Sequence, residues 1–377
     1  MKRKLDSYRR ITAGLLLVIV ILGSIALYYS PVLDVFRTRA LTPADIYDKS
    51  AASIVTVRGF VAQLALTDNG PATIISGVLG TGFVITYDNS YYILTNFHVL
   101  DGVVNSTVTF SNGDAYQAQV IGSDGYSDLA IISVKTTVAE FHPLHLGSSS
   151  TVRVGDPIVA IGNPFGLSNT ITVGIVSQVG RTIQTGTSGG FAIADTLQFS
   201  AAINPGNSGG PLIASNGMVV GMTTAVVSDS QGLGFAIPAD TISRELPFLV
   251  KNGTYDRHPY LGAQLTDMNY ELSQAMRTNV TWGVLIQSTV PGGPANKSGL
   301  KGGTEYATIE QQRYILGGDI ITSLDGNTVV NYDALTAYLE RHVVAGQTVQ
   351  MGIIRSGNVI VIPVEVGARP LRAFPQQ

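Results

Sequence analysis

One serine, Ser208, lies in the stretch NPGNSGGPL at 204–212, between glycines and close to two prolines. Proline fixes the backbone φ angle and stiffens a chain, whereas glycine lets backbone N–H groups approach a bound group closely. A serine hydroxyl in a rigid loop of backbone donors could attack a carbonyl, provided that a base lies beside it. The stretch therefore indicates either a tight structural turn or a nucleophile.

Five histidines are available as the base that such a nucleophile needs. His98 directly follows an apolar, strand-like run, so its side chain would project from the end of a rigid element. His142 and His145 lie in a predicted loop, and His258 and His342 belong to the later part of the chain. A lone histidine is more often structural, but its position makes His98 the best candidate for the base.

The base in turn needs a buried carboxylate that orients it. Asp128 opens a fully apolar run, where an unpaired carboxylate would be costly. Asp101, Asp114 and Asp124 lie in glycine-rich or polar segments, and we expect them to be solvated turn residues. An aspartate that accepts the Nδ1–H of His98 would fix the tautomer of the ring and stabilise the imidazolium. We therefore predict this role for Asp128; the alternative is that it only caps a turn.

The glycines of the serine loop meet the remaining requirement, which is a set of donors for a developing oxyanion. The backbone N–H groups of Gly206 and Ser208, with Asn207 between them, can curl toward one point. Removing a single donor of this kind typically costs about 100- to 1000-fold in rate. We predict an oxyanion hole formed by Gly206, Asn207 and Ser208.

Two groups of strand-like runs, one on each side of residue 150, must position these residues. Short runs rich in Val, Ile and Thr between glycine-containing turns are typical of β-barrels. No long helix separates the two groups, which favours two packed antiparallel barrels, closed by a short helix over 239–249. From 260 onward short strands mix with helical runs such as YDALTAYLERHV, which indicates a separate α+β module.

Composition limits the classes of protein to consider. The 377 residues, 45% hydrophobic and 13% charged, predict two or three well-buried domains. A net charge of −3 gives no indication of nucleic-acid binding. The chain has no cysteine, which excludes disulfides, thiolate zinc sites and a cysteine nucleophile. With only five histidines we expect no histidine-based metal site, and we predict no cofactor.

The N-terminal segment combines a basic start with a long uncharged run. Residues 1–10 carry five basic side chains, and 11–33 carry no charge. Twenty residues of helix span about 30 Å, the thickness of a bilayer core. We predict a membrane anchor at 11–30, with 1–10 in the cytoplasm and the rest of the chain outside it. The alternative is a cleaved signal peptide with a small-residue site at 24–26.

The order His98, Asp128, Ser208 with GNSGGPL resembles the chymotrypsin-like serine proteases, and further motifs are similar to the HtrA/Deg branch. These motifs are TNFHVL, SDLAII, GNPFGLSNTITVGIVSQVGR, AAINPGNSGGPL and GLGFAIPAD, and the match covers 53–249. The resemblance implies the same three catalytic residues, oxyanion donors on Gly206 and Ser208, and a regulatory loop over 181–194. It also implies a substrate-binding strand and pocket wall formed by Thr223, Thr224, Ala225, Val226, Val227, Gly232, Gly234 and Ile237.

The last module resembles a PDZ domain, through YLGA at 260–263 and the later segments SGLKGG and GGDIITSLDGNTVVNYDAL. In that family the backbone N–H groups of one loop capture a peptide C-terminus while an edge strand pairs with the peptide. The resemblance implies that Tyr260, Leu261, Gly262 and Ala263 make this contact.

Three features depart from the family pattern. Ser200 stands where aspartate is usual, which affects a support contact near the active site. Phe97, before the histidine, is atypical but alters no catalytic group. The segment 304–317 is longer than the usual connection, so peptide preference or partner contacts are expected to differ there.

Together these patterns predict a mainly β chain with a chymotrypsin-like double β-barrel protease domain, an α+β PDZ domain and an N-terminal transmembrane helix. The predicted boundaries are 1–10 basic N-terminus, 11–30 anchor, 31–41 linker, 42–250 protease, 251–258 linker, 259–370 PDZ and 371–377 tail. We expect a membrane-anchored serine endopeptidase of protein quality control that cleaves unfolded proteins. The family resemblance implies cleavage after small or medium aliphatic side chains and a homo-oligomer such as a trimer. The alternative is a non-proteolytic chaperone or peptide-binding scaffold, against which a complete triad argues.

Overall fold

The computed structural model of the chain describes residues 14–22, 40–67, 70–163, 169–184, 192–226 and 232–370. The chain divides into two compact units, Met1–Thr42 and Pro43–Gln377. In the first unit, 14–22 are helical and exposed. Among the helices in these ranges, none combines the length and the apolar character that crossing a membrane requires. The predicted anchor lies partly, and the predicted tail wholly, outside the described residues.

The first barrel is closed by antiparallel strands in the order β1-β2-β3-β6-β5-β4. Helix α1 (Pro43–Ser50) precedes it. Its strands are β1 (Ile54–Thr67), β2 (Gly70–Tyr87), β3 (Ser90–Thr95), β4 (Val103–Thr109), β5 (Ala115–Asp124) and β6 (Leu129–Val134). Fully buried β-branched side chains such as Val57, Val84 and Ile132 fill the barrel. Such residues suit a pleated, buried surface, which explains why the runs form strands.

The second barrel repeats this plan in the order β10-β11-β12-β9-β8-β7. Its strands are β7 (Pro157–Gly162), β8 (Thr170–Gln184), β9 (Ala192–Phe199), β10 (Pro211–Ala214), β11 (Val219–Val226) and β12 (Gly234–Pro238). Val176, Leu197 and Phe199 form its core. The two predicted antiparallel barrels are therefore confirmed.

Helix α2 (Ala239–Asn252) closes the double barrel, as expected. It packs on β5 at Gly122, where a Cβ atom would lie 2.3 Å from the Leu249 carbonyl oxygen, so only glycine fits there. The helix ends at Gly253, whose φ of 79° is in the left-handed region that glycine adopts easily.

The third module is a separate α+β unit built on antiparallel strands. Its main sheet runs β14-β15-β18-β20-β21, and β19 pairs with β18. These strands are β14 (Ala263–Asp267), β15 (Val284–Thr289), β18 (Ile320–Leu324), β19 (Asn327–Thr328), β20 (Thr348–Arg355) and β21 (Asn358–Glu365). Helices α3 (Tyr270–Ala275), α4 (Pro294–Lys297) and α5 (Tyr332–His342) accompany them.

Two small sheets complete this module. β13 (Pro259–Tyr260) pairs with β22 (Gly367–Ala368). The long segment 304–317 forms a hairpin of β16 (Glu305–Ile309) and β17 (Gln312–Leu316). The sequence predicted an insertion at this place without its hairpin structure.

Helix α5 of the third module packs on strands β8 and β9 of the second barrel through polar contacts. The guanidinium of Arg181 donates to Asp333 Oδ2 at 2.8 Å, and the Thr182 N–H donates to Asp333 Oδ1 at 2.8 Å. Arg341 binds the buried Asp195 through Nε and Nη2. The third module is thus fixed against the barrel that carries Ser208.

Candidate active site

His98 and Asp128 lie side by side because their strands pair. His98 is in the 3-10 turn Phe97–Val99 that directly follows β3, and Asp128 directly precedes β6. Thr95 of β3 is opposite Ala130 of β6. The Nδ1 atom of His98 is 2.8 Å from Oδ2 and 3.0 Å from Oδ1 of Asp128. The predicted base and carboxylate are therefore in hydrogen-bond contact.

The backbone of Asp128 is bent so that the whole residue faces the histidine turn. Its φ of 53° is in the left-handed region, which aspartate tolerates better than most residues. Its carbonyl accepts from the Phe97 N–H at 3.1 Å and from Asn96 Nδ2 at 3.0 Å. Its carboxylate also accepts from the His98 N–H at 2.9 Å and from the Thr224 hydroxyl at 2.5 Å. Asp128 is 1% exposed, and these donors satisfy its buried oxygens.

The environment of His98 favours its protonated form. Burial alone would lower the pKa of the imidazole, but the charge and the hydrogen bond of Asp128 outweigh this effect, so the pKa is raised above its ordinary value. Because Asp128 holds Nδ1, the other ring nitrogen, Nε2, is the atom that can exchange a proton with a substrate or nucleophile.

Ser208 is held by contacts to both barrels. Its carbonyl accepts from the Thr81 N–H of the first barrel at 2.8 Å, and the next N–H, that of Gly209, donates to Thr223 O at 2.9 Å. Gly209 has a φ of 88°, and a Cβ atom there would lie 2.0 Å from the Thr81 carbonyl oxygen. The glycine is required for this approach. Among the described residues, His98 makes no hydrogen bond to the Ser208 hydroxyl, and such bonds commonly tighten only when substrate binds.

The loop before Ser208 leaves two backbone donors unused. Across the described residues, the N–H groups of Gly206 and Ser208 donate to no other group. The N–H of Asn207 donates to Asn204 O at 3.0 Å, and the Asn207 side chain is buried. Of the three residues predicted for the oxyanion hole, two therefore offer a donor and Asn207 supports the loop between them.

The residues predicted to form the substrate-binding strand and pocket wall differ in burial. Thr223 and Thr224 are buried, and their hydroxyls donate to Asn207 O at 2.7 Å and to Asp128 Oδ2 at 2.5 Å. These two side chains brace the site from inside, and the placement of Thr223 and Thr224 on the substrate-binding strand stays a prediction. Ile237 is also buried, and a Cβ atom at Gly234 would meet the Phe199 ring.

The remaining residues of the predicted pocket wall are exposed or incompletely described. Gly232 is exposed. Val227 and residues 185–191 of the predicted regulatory loop lie outside the described residues, and the side chains of Ala225 and Val226 are not described.

Ser200 and Phe97, the two residues near the site that differ from the family pattern, both make supporting contacts. The Ser200 hydroxyl accepts from the Ile175 N–H at 3.0 Å, which ties the end of β9 to β8. Phe97 is buried. Its N–H bonds to Asp128 O, so this residue helps to seat the histidine turn.

A groove of the third module lies between β14 and α5. Tyr260, Leu261, Gly262 and Ala263 line one end of it, together with apolar α5 residues and with Thr182, Ala192 and Ala194 of the second barrel. The N–H groups of Leu261 and Gly262 bond to no other group in the part of the chain that the structure describes. The predicted peptide-binding residues therefore face a groove that offers backbone donors.

A buried ionic cluster joins the barrels to the third module. We name it the junction cluster; it comprises Asp124, Arg244, Glu245, His258 and Glu340. His258 Nε2 is 2.5 Å from Asp124 Oδ2, and Nδ1 is 3.2 Å from Glu340 Oε1. The expectation that Asp124 is a solvated turn residue is wrong, because it pairs with His258 and accepts from the Tyr126 N–H at 2.9 Å. Its partner is distant in sequence, which is why no local pattern indicated the pair.

The junction cluster contains the one trio of potential metal ligands within the described ranges, Asp124, Glu245 and His258. Both ring nitrogens of His258 are already hydrogen-bonded to carboxylates, and Arg244 Nη2 lies 2.6 Å from Glu340 Oε1. Because its carboxylates already pair with His258 and Arg244, we interpret the trio as part of an ion-pair network.

Comparisons with known proteins agree with this geometry. Residues 80–222 match the family described as trypsin-like peptidase domain, and 259–366 match the PDZ domain. The chain is 32% identical over 340 residues to "Protease Do-like 1, chloroplastic" of Arabidopsis thaliana, covering 89% of this chain and 73% of that protein.

A bacterial relative and a solved structure give the same result. The chain is 36% identical over 296 residues to "Probable periplasmic serine endoprotease DegP-like" of Chlamydia trachomatis, covering 78% of this chain and 54% of that protein. It thus spans about half the length of that relative. The structure titled "HtrA-type protease AlgW with decapeptide" superposes with a TM-score of 0.65 at 28% identity, over 88% of this chain and 100% of that chain. The predicted trypsin-like and PDZ folds are confirmed.

Proposed function

Because this chain belongs to the HtrA/Deg family of serine proteases, we propose that it is a serine endopeptidase of extracytoplasmic protein quality control. The observation that carries the proposal is the contact of His98 with a buried Asp128, beside a serine loop in which two backbone donors bond to none of the described residues. A scaffold without turnover has no use for this arrangement.

The geometry supports acyl transfer in two steps. The Ser208 hydroxyl attacks the substrate carbonyl and passes its proton to His98 Nε2, while Asp128 stabilises the imidazolium through Nδ1. The N–H groups of Gly206 and Ser208 bind the oxyanion. His98 then protonates the leaving amine, an acyl-enzyme forms on Ser208, and water, activated by His98, releases the second product.

The proposed substrates are unfolded or damaged proteins. A protease of this fold binds its substrate as an extended strand beside a barrel strand, and a folded protein rarely offers one. In this chain Thr223 of β11 lies beside the nucleophile loop, since its carbonyl accepts from the Gly209 N–H at 2.9 Å.

We propose that the groove of the PDZ domain binds peptide C-termini. The N–H groups of Leu261 and Gly262, which bond to none of the described residues, suit a terminal carboxylate. The apolar side chains of Leu335 and Leu339 suit an apolar last residue. Fluorescence anisotropy would test this with a peptide that ends in valine and the same peptide amidated. Binding of both with equal affinity would contradict the proposal.

Association and anchoring complete the proposal. Exposed apolar side chains on the β1–β2 hairpin, Phe60, Leu64 and Ile75, support contact with a second copy of the chain, which light scattering would detect.

The uncharged run at 11–33 supports a membrane anchor. The full-length protein should then resist extraction from membranes by high salt; release by salt alone would refute the anchor.

Cleavage of casein by the full-length protein tests the catalytic proposal. The parent should degrade casein and react with a fluorophosphonate probe, whereas Ser208→Ala should do neither. Ser111→Ala is the matched control, since Ser111 is an exposed serine of the same protein and its loss should leave cleavage unchanged. Folded parent protein without cleavage or labelling would favour a peptide-binding scaffold.

A further inference from the structure

Thr81 of β2 is a buried contact between the two barrels beneath the serine loop. It is 0% exposed. Its backbone N–H donates to Ser208 O at 2.8 Å, and its carbonyl accepts from the Thr95 hydroxyl at 2.7 Å. Its own hydroxyl lies 2.9 Å from the Asn163 backbone nitrogen and 2.5 Å from Gly206 O. One residue of the first barrel thus contacts both ends of the predicted oxyanion loop.

The direction of the hydroxyl proton follows from these partners. The backbone N–H of Asn163 can only donate, so the Thr81 hydroxyl accepts there. Its single proton is therefore available for the Gly206 carbonyl, which can only accept. The Thr81 hydroxyl therefore donates to the Gly206 carbonyl. It cannot exchange its donor and acceptor roles without losing the hydrogen bonds to both Gly206 and Asn163.

This donor fixes the peptide plane that separates the two oxyanion donors. The plane between Gly206 and Asn207 is held at its carbonyl by Thr81 and at its N–H by Asn204 O, 3.0 Å away. The N–H groups of Gly206 and Ser208 belong to the planes on either side of it. Holding the middle plane therefore sets the angle between the two donors.

Without such a contact the backbone of the loop has only a weak intrinsic preference for this conformation. Gly206 has a φ of 99°, and a glycine adopts several backbone conformations at similar free energy. The Asn207 carbonyl is held independently, by the Gly210 N–H at 3.0 Å and the Thr223 hydroxyl at 2.7 Å. Rotation of the Gly206–Asn207 plane is the movement that Thr81 opposes.

We propose that Thr81 is a positioning residue of the oxyanion hole, whose hydroxyl holds the Gly206–Asn207 peptide in the orientation that aims both donors at one point. The inference rests on the proposed protease function and names a residue that acts through the backbone without touching substrate. Preorganised donors of this kind contribute to the transition state more than to substrate binding.

The test replaces Thr81 in the full-length protein by residues of similar size. Thr81→Val removes the hydroxyl, and we expect kcat to fall at least about tenfold, less than the about 100- to 1000-fold cost of deleting an oxyanion donor itself. KM should change little. The affinity of a peptide boronic acid, which forms a tetrahedral adduct, should fall in parallel with kcat. Thr81→Ser keeps the donor and should restore both.

The matched control is Thr172→Val. The Thr172 hydroxyl is also buried in the second barrel, but it makes no hydrogen bond to any described residue. Its loss should leave kcat unchanged. If Thr81→Val does not fold, Thr81→Cys replaces it, because a thiol keeps the size and offers only a weak donor.

Hydrogen exchange separates this inference from the proposed function. Mass spectrometry of the segment 204–210 should show faster exchange in Thr81→Val than in the parent, and parent-like exchange in Thr81→Ser. An inactive parent with this exchange pattern would refute proteolysis but leave the positioning role intact. Unchanged exchange, or full kcat in Thr81→Val, would overturn the role of Thr81.

Discussion

At the scale of single residues, Asp128 decides how well His98 can act as a base. The carboxylate accepts hydrogen bonds from the His98 ring, the His98 N–H and the Thr224 hydroxyl. A side chain amide of the same shape could keep the packing but would lose the negative charge. It could also turn its NH₂ group toward Nδ1 and favour the wrong tautomer of the ring.

We therefore predict that Asp128→Asn lowers kcat by about 10⁴-fold while the protein stays folded. The carboxylate raises the pKa of His98, so its loss should lower that pKa. Because the base works in its neutral form, activity falls as pH drops through the pKa of His98. The acid limb of kcat/KM against pH should consequently move to lower pH in the residual activity of the variant. Asp101→Asn, at an exposed aspartate of the same barrel, should match the parent; an unshifted acid limb in Asp128→Asn would contradict the prediction.

Local motifs predict the catalytic residues but not the residues that support them. Ser208, His98 and Asp128 were identified because each lies in a distinctive local motif. Thr81 and Gly206 are 125 positions apart, and Thr224 and Asp128 are 96 apart. Contacts over such separations leave no spacing pattern in one sequence. The braces of the site were therefore missed, although their chemistry is as specific as that of the catalytic residues.

At the scale of elements, the β8–β9 hairpin is the contact between the second barrel and helix α5. Asp195 of β9 is buried with a φ of 60°. Burial raises the pKa of its carboxyl, and the bidentate contact with Arg341 only partly offsets this. The ion pair is thus needed to keep a buried carboxylate in its charged form.

We predict that Arg341→Gln weakens the docking of the PDZ domain on the barrel. Arg341 is 44% exposed, so solvent screens the pair and the expected loss is on the order of 1 kcal/mol. Undocking should expose the bond after Arg257, because the next residue, His258, is buried in the docked form. Trypsin cleavage at Arg257, followed by mass spectrometry in the Ser208→Ala background, should accelerate.

The control for this experiment is Arg313→Gln, which removes an exposed arginine from the β16–β17 hairpin. Its cleavage rate at Arg257 should equal that of the parent. Equal rates for Arg341→Gln as well would show that the Asp195 ion pair does not fix the domain. The hairpin itself was predicted only as extra length, since a polar strand pair outside the main sheet gives a weak alternation of apolar residues.

At the scale of the whole molecule, the sequence predicted the domains but not their junction. Barrel strands and the PDZ module follow from local alternation, turn residues and motifs. His258 lies 134 positions from Asp124 and 82 from Glu340, and it was assigned simply to a linker. Because the three residues are charged and distant in sequence, nothing local distinguished them from surface residues. Only the docked structure reveals that they are buried together.

The junction cluster should make the attachment of the PDZ domain depend on pH. Burial would lower the pKa of His258, but the charges of its carboxylate partners raise it to about 10. Burial and the charge of Asp124 raise the pKa of Glu245 to about 8. Burial alone would raise the pKa of Glu340, but His258 and the nearby arginines lower it to about 2. The titratable and charged groups that face His258 are Asp124, Glu245, Glu340, Arg244 and Arg369, with the rings of Tyr126 and Tyr255.

The sign of each contribution follows from these shifts. A group whose pKa is raised by folding stabilises the folded state at pH values below its ordinary pKa. This contribution is lost as the pH rises to the pKa of the group in the folded state. For His258 the loss runs from about pH 6.5 to pH 10, and for Glu245 from about pH 4.5 to pH 8. The lowered pKa of Glu340 stabilises above about pH 4.5 and is lost toward pH 2. The junction should therefore be most stable in weakly acidic solution and weaken in alkali.

We predict that His258→Gln destabilises the PDZ domain most near pH 6 and least near pH 10, because above its pKa the neutral histidine resembles glutamine in charge. Urea unfolding followed by the fluorescence of Trp282, the single tryptophan of the chain, reports on this domain. The difference in free energy of unfolding between parent and His258→Gln should shrink steadily as pH rises from 6 to 10. His142→Gln, at an exposed histidine, should give a curve parallel to that of the parent. A difference that stays constant with pH would mean that His258 acts through its shape and not through its charge.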